Sequence, residues 1–102
     1  MIYIFWSCSN EKEAKKIIYD LLDQKLIACA SILPEILSIY RWQEKIEENK
    51  EVKVILKTLP HLFLPIETLI QEKSSYQVPE IVQIEVSKVN PSYLSWIEQN
   101  VL

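Results

Sequence analysis

Three patterns in the chain predict an α+β domain, a ferredoxin-like split β-α-β sandwich with the order β-α-β-β-α-β-α. Four stretches are rich in β-branched and aromatic residues, and amphipathic helical stretches separate the first from the second and the third from the fourth. The middle two strands follow one another without a helix, which makes them a hairpin, here a long one. A helix between two strands forces a right-handed crossover, so the expected result is one antiparallel sheet covered by helices on one face. A length of 102 residues supplies one core, so residues 1–102 are read as a single domain.

The first strand is IYIFWS, residues 2–7, apolar and aromatic nearly throughout. Asn10 followed by Glu13 forms an N-cap with a capping-box acid, and the helix behind them aligns Ala14, Ile17, Ile18, Leu21 and Leu22 before ending near Lys25. IACASIL (27–33) is the second strand, interrupted at Pro34 and extended again through ILSIYRW (36–42). QEKIEENK (43–50) is polar enough for a turn region, and EVKVILKT (51–58) returns as a strand alternating Val52, Val54 and Leu56 with Lys53, Ile55 and Lys57. Pro60 opens a second helix with Leu62, Ile66, Leu69 and Ile70 along one stripe. Pro65 is tolerated there only within the first turn. PEIVQIEVSK (79–88) alternates Val82, Ile84 and Val86 with polar neighbours, with Pro79 expected as the strand's first residue. Asn90-Pro91 caps and starts a short last helix through Leu94 and Ile97.

This topology makes predictions about chemistry. Strand one runs parallel to strand two, strand four runs parallel to strand three, and strand one ends where strand four begins. Cys8 therefore belongs near the link Ser74 to Glu80, and Cys29 at the opposite end of the sheet. The two cysteines are expected neither to form a disulfide nor to share a metal within one chain.

Composition removes several functional classes. The net charge is −3 and the pI about 5.2, and Lys50, Lys53 and Lys57 are interleaved with Glu47, Glu48 and Glu51. No basic stripe remains for a phosphate backbone, so nucleic acid is not expected as a partner. The opening MIYIFWSCS lacks a basic flank and is too short for a membrane span, so no membrane partner is expected, and two cysteines without an export signal point to reduced thiols in the cytoplasm. The chain has no glycine, which excludes a Walker-type phosphate loop, a dinucleotide-binding turn and a nucleophile elbow. Turns are expected at Pro34, Asn49, Pro60, Pro79 and Asn90 instead. His61 and Cys8 fall at opposite ends of the sheet, so no Cys-His or Ser-His pairing forms and no catalytic residue is expected. His61 reads as a surface residue and Cys29 as core.

Some residues carry two readings. Glu44, Glu47, Glu48 and Glu51 gather a hard cation or protect the hairpin from edge pairing. Tyr40, Trp42, Tyr76 and Trp96 frame a small-molecule pocket or pack between subunits. Glu80 accepts Tyr or Lys hydrogen bonds across an interface or belongs to a cleft.

LIACASILPEILSIYRWQEKIEENKEVKVILKT, followed by YQVPEI and YLSWI, resembles the CutA family of divalent-cation tolerance proteins over essentially the whole chain. Its most specific stretches are Ala28-Cys29, Ser38-Ile39-Tyr40-Arg41-Trp42 with Lys45 and Glu47, Glu51-Val52, Lys57-Thr58, Tyr76 with Val78-Pro79-Glu80, and Tyr93-Leu94 with Trp96. The resemblance implies a homotrimer whose long hairpins pack across subunits, and binding of copper (Cu2+) or another divalent metal. Tyr40, Trp42, Lys57, Tyr76 and Glu80 are cleft candidates and Arg41, Pro79 and Trp96 interface candidates; Cys8 matches the position of a metal-linked thiol in some members and otherwise reads as a small buried apolar residue. Ser74 and Ser75 stand where many members carry His-Pro, and Lys73 stands where some carry a further histidine. The usual imidazole ligands are missing, since a hydroxyl is a poor ligand for copper or zinc and an ammonium repels the ion. A likeness to trimeric PII-type ligand sensors, at the level of fold only, supplies the alternative of a small-ligand sensor or adaptor using the cleft between subunits.

Overall fold

A computed structural model describes all residues, Met1–Leu102. The elements are β1 (Ile2–Cys8), α1 (Glu11–Asp23), β2 (Cys29–Trp42), β3 (Lys45–Thr58), α2 (Phe63–Lys73, entered through a single 3-10 turn at Pro60–Leu62), β4 (Ile81–Glu85) and α3 (Pro91–Asn100). They form one four-stranded sheet in the order β2-β3-β1-β4, with every neighbouring pair antiparallel. This is the ferredoxin-like α+β fold expected from the order of elements.

Alternation in β1 sends Ile2, Ile4, Trp6 and Cys8 to one face, where none is exposed. Their register partners Thr58, Leu56, Val54 and Val52 share that face. Ala14, Ile17, Ile18 and Leu21 of α1 and Ile66, Leu69 and Ile70 of α2 close over it as one core. Leu22, expected on the buried stripe, lies at its edge and is 36% exposed, because one residue turns a helix by about 100° away from Leu21. Asn10 Oδ1 accepts the Glu13 N–H at 2.8 Å and caps α1 as expected. Pro65 occupies the third position of α2, where its missing N–H removes no intrahelical bond.

The hairpin corrects the turn expected over residues 43–50. β3 begins at Lys45, opposite Trp42, so only Gln43 and Glu44 form the turn, with φ of 49° and 67°. A two-residue turn with both residues left-handed matches the strand twist and normally uses Asn-Gly. Asn49 is a strand residue opposite Ser38 rather than a turn residue. Lys25 and Glu35 also take positive φ. Glu35 sits at the register shift between Leu33 and Ile36, beside Pro34. A chain without glycine thus places ordinary side chains in backbone conformations that cost about 1–2 kcal/mol each.

Pro79 lies two residues before β4 rather than heading it. The Ser7 N–H reaches the Glu80 carbonyl at 3.3 Å, and sheet pairing starts at Ile81. The Asn90 side chain bonds Ser92 Oγ and not the helix backbone, while its carbonyl accepts the N–H groups of Tyr93 and Leu94. The second face of the sheet carries Tyr3, Phe5, Ser7, Lys53, Ile55, Lys57, Val82 and Ile84 by register. Val82 and Ile84 remain 44% and 41% exposed there. The alternation of β4 therefore supplies a second apolar surface and not more of the helix-covered core. Cys29, read as core, projects onto this same second face opposite Lys57 and is half-buried.

Candidate functional site

The hairpin bulge sets the site. Between Leu33 and Ile36 the register shifts, so Ile36 pairs with Glu51 and Tyr40 with Glu47. Strand alternation then puts Ser38, Tyr40 and Trp42 on the same face as Ser7 and Glu51. The segment Tyr76 to Glu80, delivered by the end of α2, folds over that face. Together they border an open cavity of about 620 Å³ lined by Tyr40, Trp42, Glu47, Glu51, Tyr76 and Glu80, with Ser7, Ser38, Gln77 and Val78 completing its wall.

The carboxylates are oriented by donors. Glu51 accepts from Ser38 Oγ on one oxygen at 2.6 Å and from Tyr76 Oη on the other at 2.7 Å. Asn49 Nδ2 adds a 3.4 Å bond to the same tyrosine oxygen. Burial, reinforced by hydrogen bonding to the Glu51 carboxylate, raises the Tyr76 hydroxyl well above the ordinary tyrosine range and keeps it a donor. Glu80 Oε1 accepts from both Ser7 Oγ and Lys53 Nζ, each at 2.5 Å. Partial burial pushes the Glu80 carboxyl upward, but these two donors outweigh it and hold it below the ordinary carboxylate value. Glu80 is thus bound within its own chain, to a lysine and a serine, and not to a tyrosine. Glu47 makes no ion pair in the structure, whose three pairs are Lys50–Glu35, Lys53–Glu80 and Lys73–Asp20.

The remaining candidates fall elsewhere. Lys57 is buried at the other end of the sheet, where its ammonium reaches Ser31 Oγ and, at 3.8 Å, Cys29 Sγ. It does not line the cavity. Trp96 is also outside it and stacks on Tyr93 with ring centroids 5.8 Å apart. Arg41 projects from the opposite face of the hairpin, exposed, and Pro79 is half-buried in the link. His61 is exposed and meets the Leu102 carbonyl at 3.0 Å. The acidic set divides. Glu47 and Glu51 face the cavity, Glu48 faces away and Glu44 is in the turn. Sequence reasoning did not single out Ser7 or Ser38 as site residues. The available signal was the alternation of β1 and β2, but the bulge that aligns them has no glycine to announce it.

Cys8 sits beside the link as the topology predicts, and both cysteines are free. Its Sγ donates to Glu13 Oε2 at 2.9 Å, and Glu13 Oε1 accepts the Ser75 N–H at 3.2 Å. Burial, and then the hydrogen bond to Glu13, push the thiol pKa up to about 12. Soft metals bind the thiolate, so an ion at Cys8 would have to displace this proton and its bond to Glu13. No group of three His, Cys, Asp or Glu side chains is arranged to hold an ion. The residues around Cys8 do not fit a resident copper or zinc ion, because the Glu13 carboxylate is taken up by Cys8, Ser9 and Ser75 and no third ligand stands beside them.

A family model described as "CutA1 divalent ion tolerance protein" matches residues 2–100. The Divalent-cation tolerance protein CutA of Pyrococcus horikoshii is 41% identical over 97 residues, which span 95% of this chain and 94% of that one. The mouse Protein CutA is 38% identical over 95 residues, 93% of this chain but 54% of the relative, so the chain spans about half the length of such mammalian relatives. Among solved structures, CutA1 from Pyrococcus horikoshii superposes with a TM-score of 0.94 at 37% identity, covering 100% of this chain and 99% of that chain. A structure from Archaeoglobus fulgidus named a periplasmic divalent cation tolerance protein gives 0.96 at 31% identity, with 100% of both chains covered. No helix is long and apolar enough to cross a membrane. With agreement in sequence from residue 2 to residue 100 and in fold over the whole chain, this protein belongs to the CutA family of divalent-cation tolerance proteins.

Proposed function

We propose that this protein serves divalent-cation tolerance as a homotrimer, and that its own contact with copper or another divalent ion is weak. The observation that carries the assembly is the second face of the sheet. Leu33, Val82 and Ile84 are 44%, 44% and 41% exposed in one chain, and a sheet face of this kind is stable when a second copy covers it. The weak contact follows from Cys8, whose thiol is committed to Glu13, and from Ser74 and Ser75, which offer hydroxyl groups in place of imidazoles. The family description names an ion tolerance and no reaction, and we read the protein as a non-enzyme. We read its setting as cytoplasmic, as expected for two cysteines outside a disulfide framework.

Native mass measurement tests the assembly, with three copies of the 12.0 kDa chain expected; a single copy at micromolar concentration contradicts it. Equilibrium dialysis with Cu2+ and Zn2+ tests the metal reading. Dissociation constants of about millimolar or weaker are expected for wild type and Cys8→Ser alike. Tight binding abolished by Cys8→Ser contradicts the Cys8–Glu13 assignment.

A second reading, a small-ligand sensor or adaptor, is favoured by the 620 Å³ cavity, whose volume is that of a site for an organic molecule rather than a bare ion. A ligand that raises the melting temperature without metal supports this reading.

A further inference from the structure

The cavity is sorted by charge. Its ionisable lining residues are acids and tyrosines, namely Glu47, Glu51, Glu80, Tyr40 and Tyr76, and no lysine, arginine or histidine lines it. Lys53 neutralises Glu80, leaving two carboxylates without a cation. Glu51 is fixed by Ser38 and Tyr76. Glu47, across the ladder from Tyr40, has no side-chain partner and is exposed. Tyr40 and Trp42 are 41% and 38% exposed in one chain and stand two residues apart on one face of one strand, both lining this space.

Each ligand class meets this lining differently. An anion is repelled by it. A neutral apolar molecule strips water from two carboxylates and returns no hydrogen bond. A bare divalent ion needs several oxygens at about 2.0–2.6 Å, and the cavity holds no such cluster. An ammonium ion on a carbon body satisfies both features, because its charge pairs with the carboxylates and lies over the aromatic faces.

We propose that the cavity between the hairpin and the Tyr76–Glu80 link binds a small organic ammonium ion, held by Glu47 and Glu51 and by the rings of Tyr40 and Trp42. This rests on the small-ligand reading above and adds the chemical class of the ligand. Primary polyamines and quaternary ammonium ions share that chemistry, and the two are separated by experiment.

The assembled wild-type protein is titrated at constant ionic strength with spermidine, tetramethylammonium, inorganic phosphate and inositol, reading melting temperature and tryptophan fluorescence. The expected result is stabilisation and a fluorescence change with at least one of the two ammonium probes, with a Kd below about 1 mM. Spermidine alone identifies a primary polyamine, and tetramethylammonium alone a quaternary ion. Trp42→Phe is expected to abolish the fluorescence change, since Trp6 is fully buried in the core and Trp96 lies outside the cavity. Glu47→Gln alters a side chain without internal partners and is expected to weaken binding roughly tenfold while leaving the melting temperature of the unliganded protein unchanged. Binding that Glu47→Gln does not affect overturns the proposal. Binding of phosphate or inositol alone overturns it and leaves the sensor reading standing, and binding of no probe overturns it as well. If the ammonium probes bind only as the assembly dissociates, a side chain of a second copy fills the cavity, and the proposal is likewise overturned.

Discussion

The two halves of the β2–β3 hairpin carry similar apolar residues on the same side, yet they end in different surroundings. In the inner half, Val52, Val54 and Leu56 face the helices and are 7%, 0% and 0% exposed. In the outer half, Leu37, Ile39 and Ile46 lie on the continuation of that side and are 57%, 62% and 63% exposed. β1 pairs with β3 only from Val52 to Thr58, so the outer half is a two-stranded ribbon with no third strand beside it. An isolated ribbon is marginal in water. What covers a strand decides its burial, and nothing in its own chain covers the outer half. The cavity forms at the junction of the halves, where the bulge changes the register and the Tyr76–Glu80 link bridges the gap.

The largest expected effect lies in the inner half. Leu56→Ala opens a cavity at a fully buried position and is expected to cost about 2–5 kcal/mol in chemical denaturation. A loss within about 0.5 kcal/mol, the ordinary range for surface changes, would erase the distinction between the halves. In the outer half, Ile39→Asp should leave the far-ultraviolet circular dichroism of the subunit intact and lower the native mass toward one chain. An unchanged mass would remove this side of the arm from the assembly.

A smaller effect is expected at the junction, and it depends on pH. The folded-state pKa values of Glu80 and Glu13 are depressed by their donors, despite the upward pull of burial. Their stabilisation is present above the ordinary carboxylate value near 4.5 and is lost as pH falls through the lower folded values. Glu80→Gln should therefore lower the melting temperature at neutral pH and reduce its dependence on pH below 4.5. A wild-type and variant difference that stays constant across that range would dismiss the Ser7 and Lys53 bonds as its source. The smallest effect belongs to the arm's tip. Glu44→Gly relieves a left-handed residue at φ 67° and is expected to stabilise by about 0.5–1 kcal/mol, net of glycine's greater freedom in the unfolded chain.

Much of this arrangement was legible residue by residue. Apolar spacing in residues 14–21 and strict alternation in residues 51–58 specified a helix and a strand. Strand and helix order then fixed which ends of the sheet Cys8 and Cys29 occupy. The polar stretch 43–50 was misleading, because Lys45, Glu47 and Glu48 read as turn residues when no core lies beneath them, although they pair in register with Trp42, Tyr40 and Ile39. Tyr40, Trp42, Tyr76 and Glu80 were identifiable as site candidates, and the cavity brings them together. Lys57 and Trp96 were not separable from them, because strand position gives a face but not a distance along it.

The sequence by itself determined the fold and the chemical limits, since periodicity, caps and crossovers are local, and a chain without glycine or a second histidine excludes whole sites by composition. Only the tertiary structure decided that Glu80 belongs to Ser7 and Lys53, that Glu51 belongs to Ser38 and Tyr76, and that Cys8 is held as a thiol by Glu13. Apart from Cys8 and Glu13, these partners are far apart in the chain, and hydrogen bonds form only within about 3 Å. That distance is set by a one-step register shift and by the path of the link, neither of which a pattern of residue types encodes.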